Sequence, residues 1–216
     1  TVNSMPGQDK WIFLPREEDV TKYPIEKTLR EFSADCVVHP VSDYTSGQAA
    51  TCLLAKKFID NDSELIISSA DYEHVYNENL WLSLIGDSSI DGVIWTYRSR
   101  SMILKDPEKF AYCQVLKDGV TVSKVVEKKT ISSSPNTDPL VVGTFWYRKA
   151  KDFIDAAENL IKNDITINNE HYVGTSINYL IEKGKRFVIF DIDQWISFGD
   201  PFELQVLEYW DEHFKG

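Results

Sequence analysis

A lone carboxylate at the end of a short apolar run is the first group in this sequence placed to do chemistry: Leu65-Ile-Ile-Ser-Ser-Ala70 leads straight into Asp71. The run reads as a strand. An acid at a strand's carboxyl end can hold a divalent metal against a nucleotide's phosphates, and open α/β sheets keep their ligands at that edge. The same acid also serves simply to cap the turn that follows. Upstream, Gly47 and Gln48 follow the turn-rich stretch Ser42 to Ser46 and open a helix whose Ala50, Leu53, Leu54 and Phe58 fall at helical spacing. Backbone N–H groups at such a start can approach a base or phosphate closely, while a Gly there equally suits a bare turn. Glu127 and Lys128 stand together at the end of a candidate hairpin strand. A glutamate accepts hydroxyl hydrogens from a sugar and a lysine steadies a phosphate. In a regular pleat the two point to opposite faces, so only one reaches a cleft unless the strand bends.

Other chemistries find less support. Cys36, Cys52 and Cys113 form an odd set without CxxC spacing, each in apolar sequence, which reads as reduced core or half-buried thiols. No two of His39, His74, His171 and His213 lie at i, i+4, and no Ser sits in a GxSxG elbow, so neither a zinc helix nor a His-led triad is indicated. His74 is close enough in sequence to Asp71 to approach the same site, a surface or half-buried place being the plainer reading. Asp191-Ile-Asp193 has the DxD spacing of the metal motif in nucleotide-sugar-dependent glycosyltransferases, a pattern common by chance and equally at home in a polar loop before Trp195.

The elements that must carry these groups alternate. Lys10 to Leu14 reads as a strand, Val20 to Phe32 as a helix facing the core through Ile25, Leu29 and Phe32, and Cys36 to Val38 as a second strand. After the Gly47 helix and the strand before Asp71 come a helix around Asn79 to Ile85 and the strand Gly92 to Tyr97. Then the pattern changes. Phe110 to Leu116 and Val120 to Val126 alternate about Lys117-Asp-Gly119, a hairpin signal. A loop over Ile131 to Pro139 precedes the strand Leu140 to Tyr147, and Lys149 to Asn163 is an amphipathic helix. Tyr172 to Lys183 reads as a helix stopped by Gly184, Arg186 to Phe190 as a strand, and Pro201 to Phe214 as a last helix. Trp81, Trp95, Trp146 and Trp210 lie within apolar elements and read as core. The expected fold is α/β: a Rossmann-like, mixed but mostly parallel sheet with helices on both faces and a β-hairpin insertion, in one domain over residues 1–216.

The formal net charge of -11 over 216 residues argues against nucleic acid or an anionic membrane surface as a partner, since both need clustered Lys and Arg. No apolar run approaches the roughly 18 residues of a membrane span and the first ten residues do not read as a signal peptide, so a cytoplasmic protein is expected. Trp210 and Phe214 on the last helix can pack internally or against a second copy, leaving a homo-oligomer open.

In order along the chain, several segments resemble the sugar-phosphate nucleotidyltransferases, also called nucleotide-sugar pyrophosphorylases. Beside the Gly47 helix and the Asp71 strand, Lys124-Val-Val-Glu-Lys128 resembles their "vEKP" segment and Val142-Gly-Thr-Phe-Trp-Tyr-Arg148 their "GiYiF" strand. Asn169-Glu-His-Tyr-Val173 through Ile177-Asn178 and Leu180 to Gly184 is similar to "nGEyyltdain.li..G", and Trp195-Ile-Ser-Phe-Gly-Asp-Pro201 to "WxdxGTPedl". The resemblance implies attack of a sugar 1-phosphate oxygen on the α-phosphorus of a nucleoside triphosphate, assisted by Mg2+. It places Asp71 on the metal, Gly47 by the base with Gln48 next to it at the helix start, Glu127 and Lys128 on the sugar phosphate, and Gly143 and Glu170 on the sugar side. It also points to surface-polysaccharide or capsule synthesis. Three departures stand out. The family's opening GxGxR segment does not precede Trp11, so the domain reads as N-terminally incomplete. Ser197 stands where many members have a metal acid, leaving Asp200 or Asp193 to substitute. Lys129 replaces the Pro of "EKP", and Cys113 replaces a Gly beside the sugar. A non-catalytic nucleotide-sugar-binding module and a glycosyltransferase using Asp191 and Asp193 are the alternatives.

Overall fold

The structure is a computed structural model that describes residues 2–98 and 106–214. Its first half runs β1 (Ile12–Phe13), α1 (Glu17–Lys22), α2 (Ile25–Phe32), β2 (Val37–Val38), α3 (Gln48–Leu53), β3 (Leu65–Ser68), β4 (Tyr72–Val75), α4 (Glu78–Gly86) and β5 (Gly92–Tyr97). The second half runs β6 (Ala111–Val115), β7 (Val122–Glu127), β8 (Leu140–Tyr147), α5 (Ala150–Lys162), α6 (Val173–Glu182), β9 (Phe187–Asp191), β10 (Gln194–Ser197) and α7 (Pro201–Phe214).

The main sheet has the order β7-β6-β8-β5-β9, with β3 also paired to β8. The ladders refine the expected parallel character. β3, β5, β6 and β9 share one direction, yet among the described residues of this sheet only the β5–β9 ladder is parallel, because β8 runs antiparallel to β3, β5 and β6. β8 follows the β6–β7 hairpin and an irregular loop rather than a crossover helix, so it enters the sheet reversed. The hairpin turns at Asp118 and Gly119, where the Asp118 carboxylate accepts from the Val120 and Thr121 amides.

Both faces of the sheet are covered, as the apolar runs require. Along β8 the side chains alternate: Phe145 and Tyr147 join Phe153, Ala157 and Ile177 under α5 and α6. Val142 and Trp146 face the other way onto Trp81 of α4, with Trp95 and Phe190. Trp81, Trp95 and Trp146 are core residues as expected, and Cys36 and Cys113 are buried with Cys52 half-buried.

Four expectations are corrected. The single helix over Val20 to Phe32 is two short ones, because Pro24 has no N–H to give and holds Tyr23 in extended backbone. Its supposed core face is half-buried at Ile25 and Leu29 and exposed at Phe32. Trp210 is 48% exposed rather than core, and α7 carries no buried residue. His74 is buried at 3% exposure: on β4 it points away from Asp71 into the core, edge-on to Trp95. The ribbon of β4 and β10, antiparallel with Tyr72 opposite Ser197, has no counterpart in the sequence reading and decides where Asp71 sits.

Candidate active site

A cavity of about 360 Å3 opens where the amino end of α3, the middle of β8, the end of β7 and the start of α6 meet. Gly47, Gln48, Glu127, Lys128, Gly143 and Glu170 all line it. These are the six residues that sequence and resemblance assigned to substrate, drawn from separate parts of the chain.

Each is placed by a local device. Gly47 has φ of +126°, and a Cβ there would fall 2.7 Å from the main-chain N and O of His171, so only glycine fits. The Ala49 amide donates to the His171 carbonyl and the His171 amide to Ser46, which docks the α3 loop onto the loop bearing Glu170. Gln48 donates through Nε2 to Ser69 Oγ at 3.2 Å. Gly143 is held at φ of +82°, where a Cβ would meet that same Ser69 Oγ at 2.9 Å. Ser69 is thus a cavity residue that the sequence reading passed over, hidden as one serine among several.

Glu127 and Lys128 both face the cavity, which a regular pleat forbids. Lys128 takes a left-handed φ of +54°, so the chain bends just past β7 and turns its side chain back beside Glu127. Its Nζ donates to the Lys109 carbonyl at 2.5 Å and lies 5.4 Å over the Tyr172 ring. Burial pushes the Glu127 carboxyl up to about 7, partly offset by the Lys128 charge. Burial first, then the neighbouring Glu170 carboxylate, also holds the Tyr172 phenol well above its ordinary value. Tyr172 and Lys109 line the cavity too and were not singled out from sequence, although Tyr172 lies two residues after Glu170. Cys113, by contrast, is fully buried in the core and has no place on the cavity wall.

Asp71 borders this cavity without being one of its walls: its neighbour Tyr72 lines it. The Asp71 carbonyl accepts from the Phe198 amide, and a Cβ on Gly199 would fall 2.5 Å from Asp71 Oδ2, so the carboxylate rests on bare glycine. Its carboxyl is raised by burial and by the nearby charge of Glu203, against a lowering by the backbone. Glu203 in turn accepts from Ser197 Oγ at 2.6 Å. The acid missing at position 197 therefore has a counterpart one turn into α7, tethered to the residue that replaced it.

The two substitutes considered from sequence fare differently. Asp193 lies at the far end of the β4–β10 ribbon, its amide bonded to Val75, roughly 13 Å along the strand from Asp71. It cannot share a metal with Asp71. Asp200 spends one carboxylate oxygen on the Phe202 amide at the start of α7. Asp191 accepts from Thr96 Oγ1 at 2.6 Å and pairs with Arg98 at 2.8 Å, so the DxD acids are engaged elsewhere or turned away. Among the described residues no three His, Cys, Asp or Glu side chains converge on one point. Mg2+ asks for less, one or two carboxylates with substrate phosphates completing the shell. Asp71 on its glycine cradle, with Glu203 as the nearby like charge, fits that demand.

No family model and no curated protein matches the chain. Solved structures do. One is a nucleoside-diphosphate-sugar pyrophosphorylase from Vibrio cholerae RC9, with a TM-score of 0.71 and 20% identity over 92% of this chain and 80% of that one. The fold is that of the nucleotide-sugar pyrophosphorylases. A UDP-glucose pyrophosphorylase complexed with UDP-glucose follows at a TM-score of 0.68 and 15% identity, over 95% of this chain and 81% of that one. The apo form of a UDP-glucose pyrophosphorylase gives 0.63 and 14%, over 94% and 81%. At such identities the pyrophosphorylase likeness is one of architecture.

Proposed function

We propose that this protein transfers a nucleotidyl group from a nucleoside triphosphate to a sugar 1-phosphate, forming a nucleotide-sugar and pyrophosphate. The observation that carries the reading is the convergence of Gly47, Gln48, Glu127, Lys128, Gly143 and Glu170 on one cavity, in a fold shared with pyrophosphorylases. A neighbour that holds UDP-glucose supports a nucleotide and a sugar as the ligands.

In this reaction the substrate's own phosphate oxygen is the nucleophile, so the protein needs no activated side chain. Burial raises the Cys52 thiol to about 12, which suits it to packing and not to attack. Catalysis rests on holding two anions in line and offsetting their charge. Gln48 faces the base, Lys128 meets the sugar's phosphate, and Glu127 and Glu170 take its hydroxyls. Glu127, near half-protonated at neutral pH, can donate as well as accept. When bound, Mg2+ would neutralise developing charge on the triphosphate, with Asp71 and Glu203 as its protein ligands. Resemblance of the Asn169–Val173 and Phe198–Pro201 segments supports a role in supplying activated sugars for surface polysaccharide. Among the described residues no helix is long and apolar enough to cross a membrane.

Pyrophosphate release tests this with the full-length protein, a panel of triphosphates and sugar 1-phosphates, and Mg2+ present or chelated. Release with at least one pair, lost on chelation, is expected. Nucleotide-sugar affinity with no release from any pair would leave a binding module instead, and sugar transfer from a nucleotide-sugar would make it a glycosyltransferase.

A further inference from the structure

The outer edge of β7 is paired by a side chain. Asn178 on α6 accepts from the Val125 amide through Oδ1 at 2.8 Å and donates through Nδ2 to the Val125 carbonyl at 2.9 Å. It thus meets both main-chain groups as a neighbouring strand would. Val125 and Glu127 lie on the same side of the strand, two residues apart. Gly174 lies one helical turn before Asn178 on the same face of α6. A Cβ on Gly174 would fall 2.4 Å from Glu127 Oε1 and 3.0 Å from Val125 Cγ1. The helix therefore grips the strand at one point and yields space to the carboxylate at the next.

We infer that Asn178 is the positioning residue for Glu127, fixing the end of β7 against α6 while the missing side chain at Gly174 makes the pocket in which the carboxylate lies. The catalytic side of the inference rests on the function proposed above; the positioning does not. A strand end held only by its hairpin partner is free to lift, and Lys128, in its left-handed turn, follows Glu127 directly. With Asn178 in place, the half-buried Glu127 carboxyl stays beside Lys128; Tyr172 and Glu170 are the titratable groups just before α6, and the Lys109 ammonium is paired with Asp106.

The test is a 13C NMR titration of the Glu127 carboxyl in the full chain, run on wild type, Asn178→Ala and Gly174→Ala. The wild-type midpoint is expected near 7. Asn178→Ala is expected to lower it by one unit or more toward ordinary glutamate as the carboxylate gains water. Gly174→Ala, which adds a good helix former and so keeps the test alive should Asn178→Ala fold poorly, should lower it by pushing the carboxylate outward. Both variants should raise the sugar 1-phosphate KM about tenfold and leave the triphosphate KM within about twofold. A midpoint unmoved in a folded Asn178→Ala or in Gly174→Ala, or a wild-type midpoint near that of free glutamate, overturns the positioning. Shifted midpoints in a protein that turns over no substrate pair uphold the positioning and count against the function alone.

Discussion

The two ends of the candidate site are built to different standards. At the Glu127 end, β7, β8 and α6 bring their residues out of the main core, and main-chain hydrogen bonds from Asn178 and close packing on Gly174 hold the carboxylate. At the Asp71 end, the β4–β10 ribbon is anchored to the core through Tyr72, His74 and Trp195, but Glu203 sits on a helix with no buried residue, tethered by one hydroxyl bond from Ser197. Buried scaffolds open rarely, while elements with few apolar contacts open at little cost. The Glu127 end is therefore held by buried elements, whereas Glu203 is carried on a helix with no buried residue.

Activity breaks this contrast most sharply. Asp71→Asn should reduce Mg2+-dependent pyrophosphate release about 100-fold or more, the scale of losing one charge-stabilising group at a reacting phosphate. Ser197→Ala should cost far less at saturating metal and raise the Mg2+ concentration needed for half-maximal rate. If Glu203 holds nothing, Ser197→Ala changes neither quantity.

Stability divides the same way. Trp146→Ala removes a fully packed indole beneath α4 and should cost about 3–5 kcal/mol in urea unfolding. Trp210→Ala, on α7, should cost under about 1 kcal/mol. Equal losses would mean that α7 is part of the core after all.

One buried and one half-buried titratable group sharpen the comparison through pH, with opposite signs. Burial lowers His74 from 6.5 to about 4, so the unfolded chain gains a proton that the native one refuses. Its contribution is whole above pH 6.5 and falls by about 3 kcal/mol as pH drops toward 4. Glu127, raised from 4.5 to about 7, works the other way: the native state keeps a proton that the unfolded chain loses, so stability falls as pH climbs from 4.5 through 7. Glu127→Gln should accordingly gain up to about 3 kcal/mol at pH 8 and almost nothing at pH 4, read from unfolding midpoints at the two values. A small effect is expected at the entrance to α4, where Asn77 accepts from the Leu80 amide. Asn77→Ala should cost about 1 kcal/mol without touching either end of the site.

The well-packed end was also the legible one. β8 reads from its own apolar run because both faces are buried, and α5 and α6 from helical spacing that matches their buried stripes. The cavity glycines and acids were legible through the order of their motifs. The acidic corner was not. β4 and β10 are four-residue strands with charged or polar residues interleaved, and only their pairing with each other makes them strands. That pairing joins residues more than a hundred positions apart, which no local pattern records. For the same reason Asp193 looked available, His74 looked exposed and Glu203 was passed over. The bend at Lys128 left no trace either, since lysine rarely takes positive φ.

The claim on which the rest depends is that a sugar phosphate enters this cavity, and amide chemical-shift mapping with α-D-glucose 1-phosphate at millimolar concentration tests it most directly. The account predicts shifts centred on Gly143, Glu170, Tyr172 and Gly174, absent in Lys128→Ala. Shifts confined to other surfaces, or unchanged by Lys128→Ala, would contradict it.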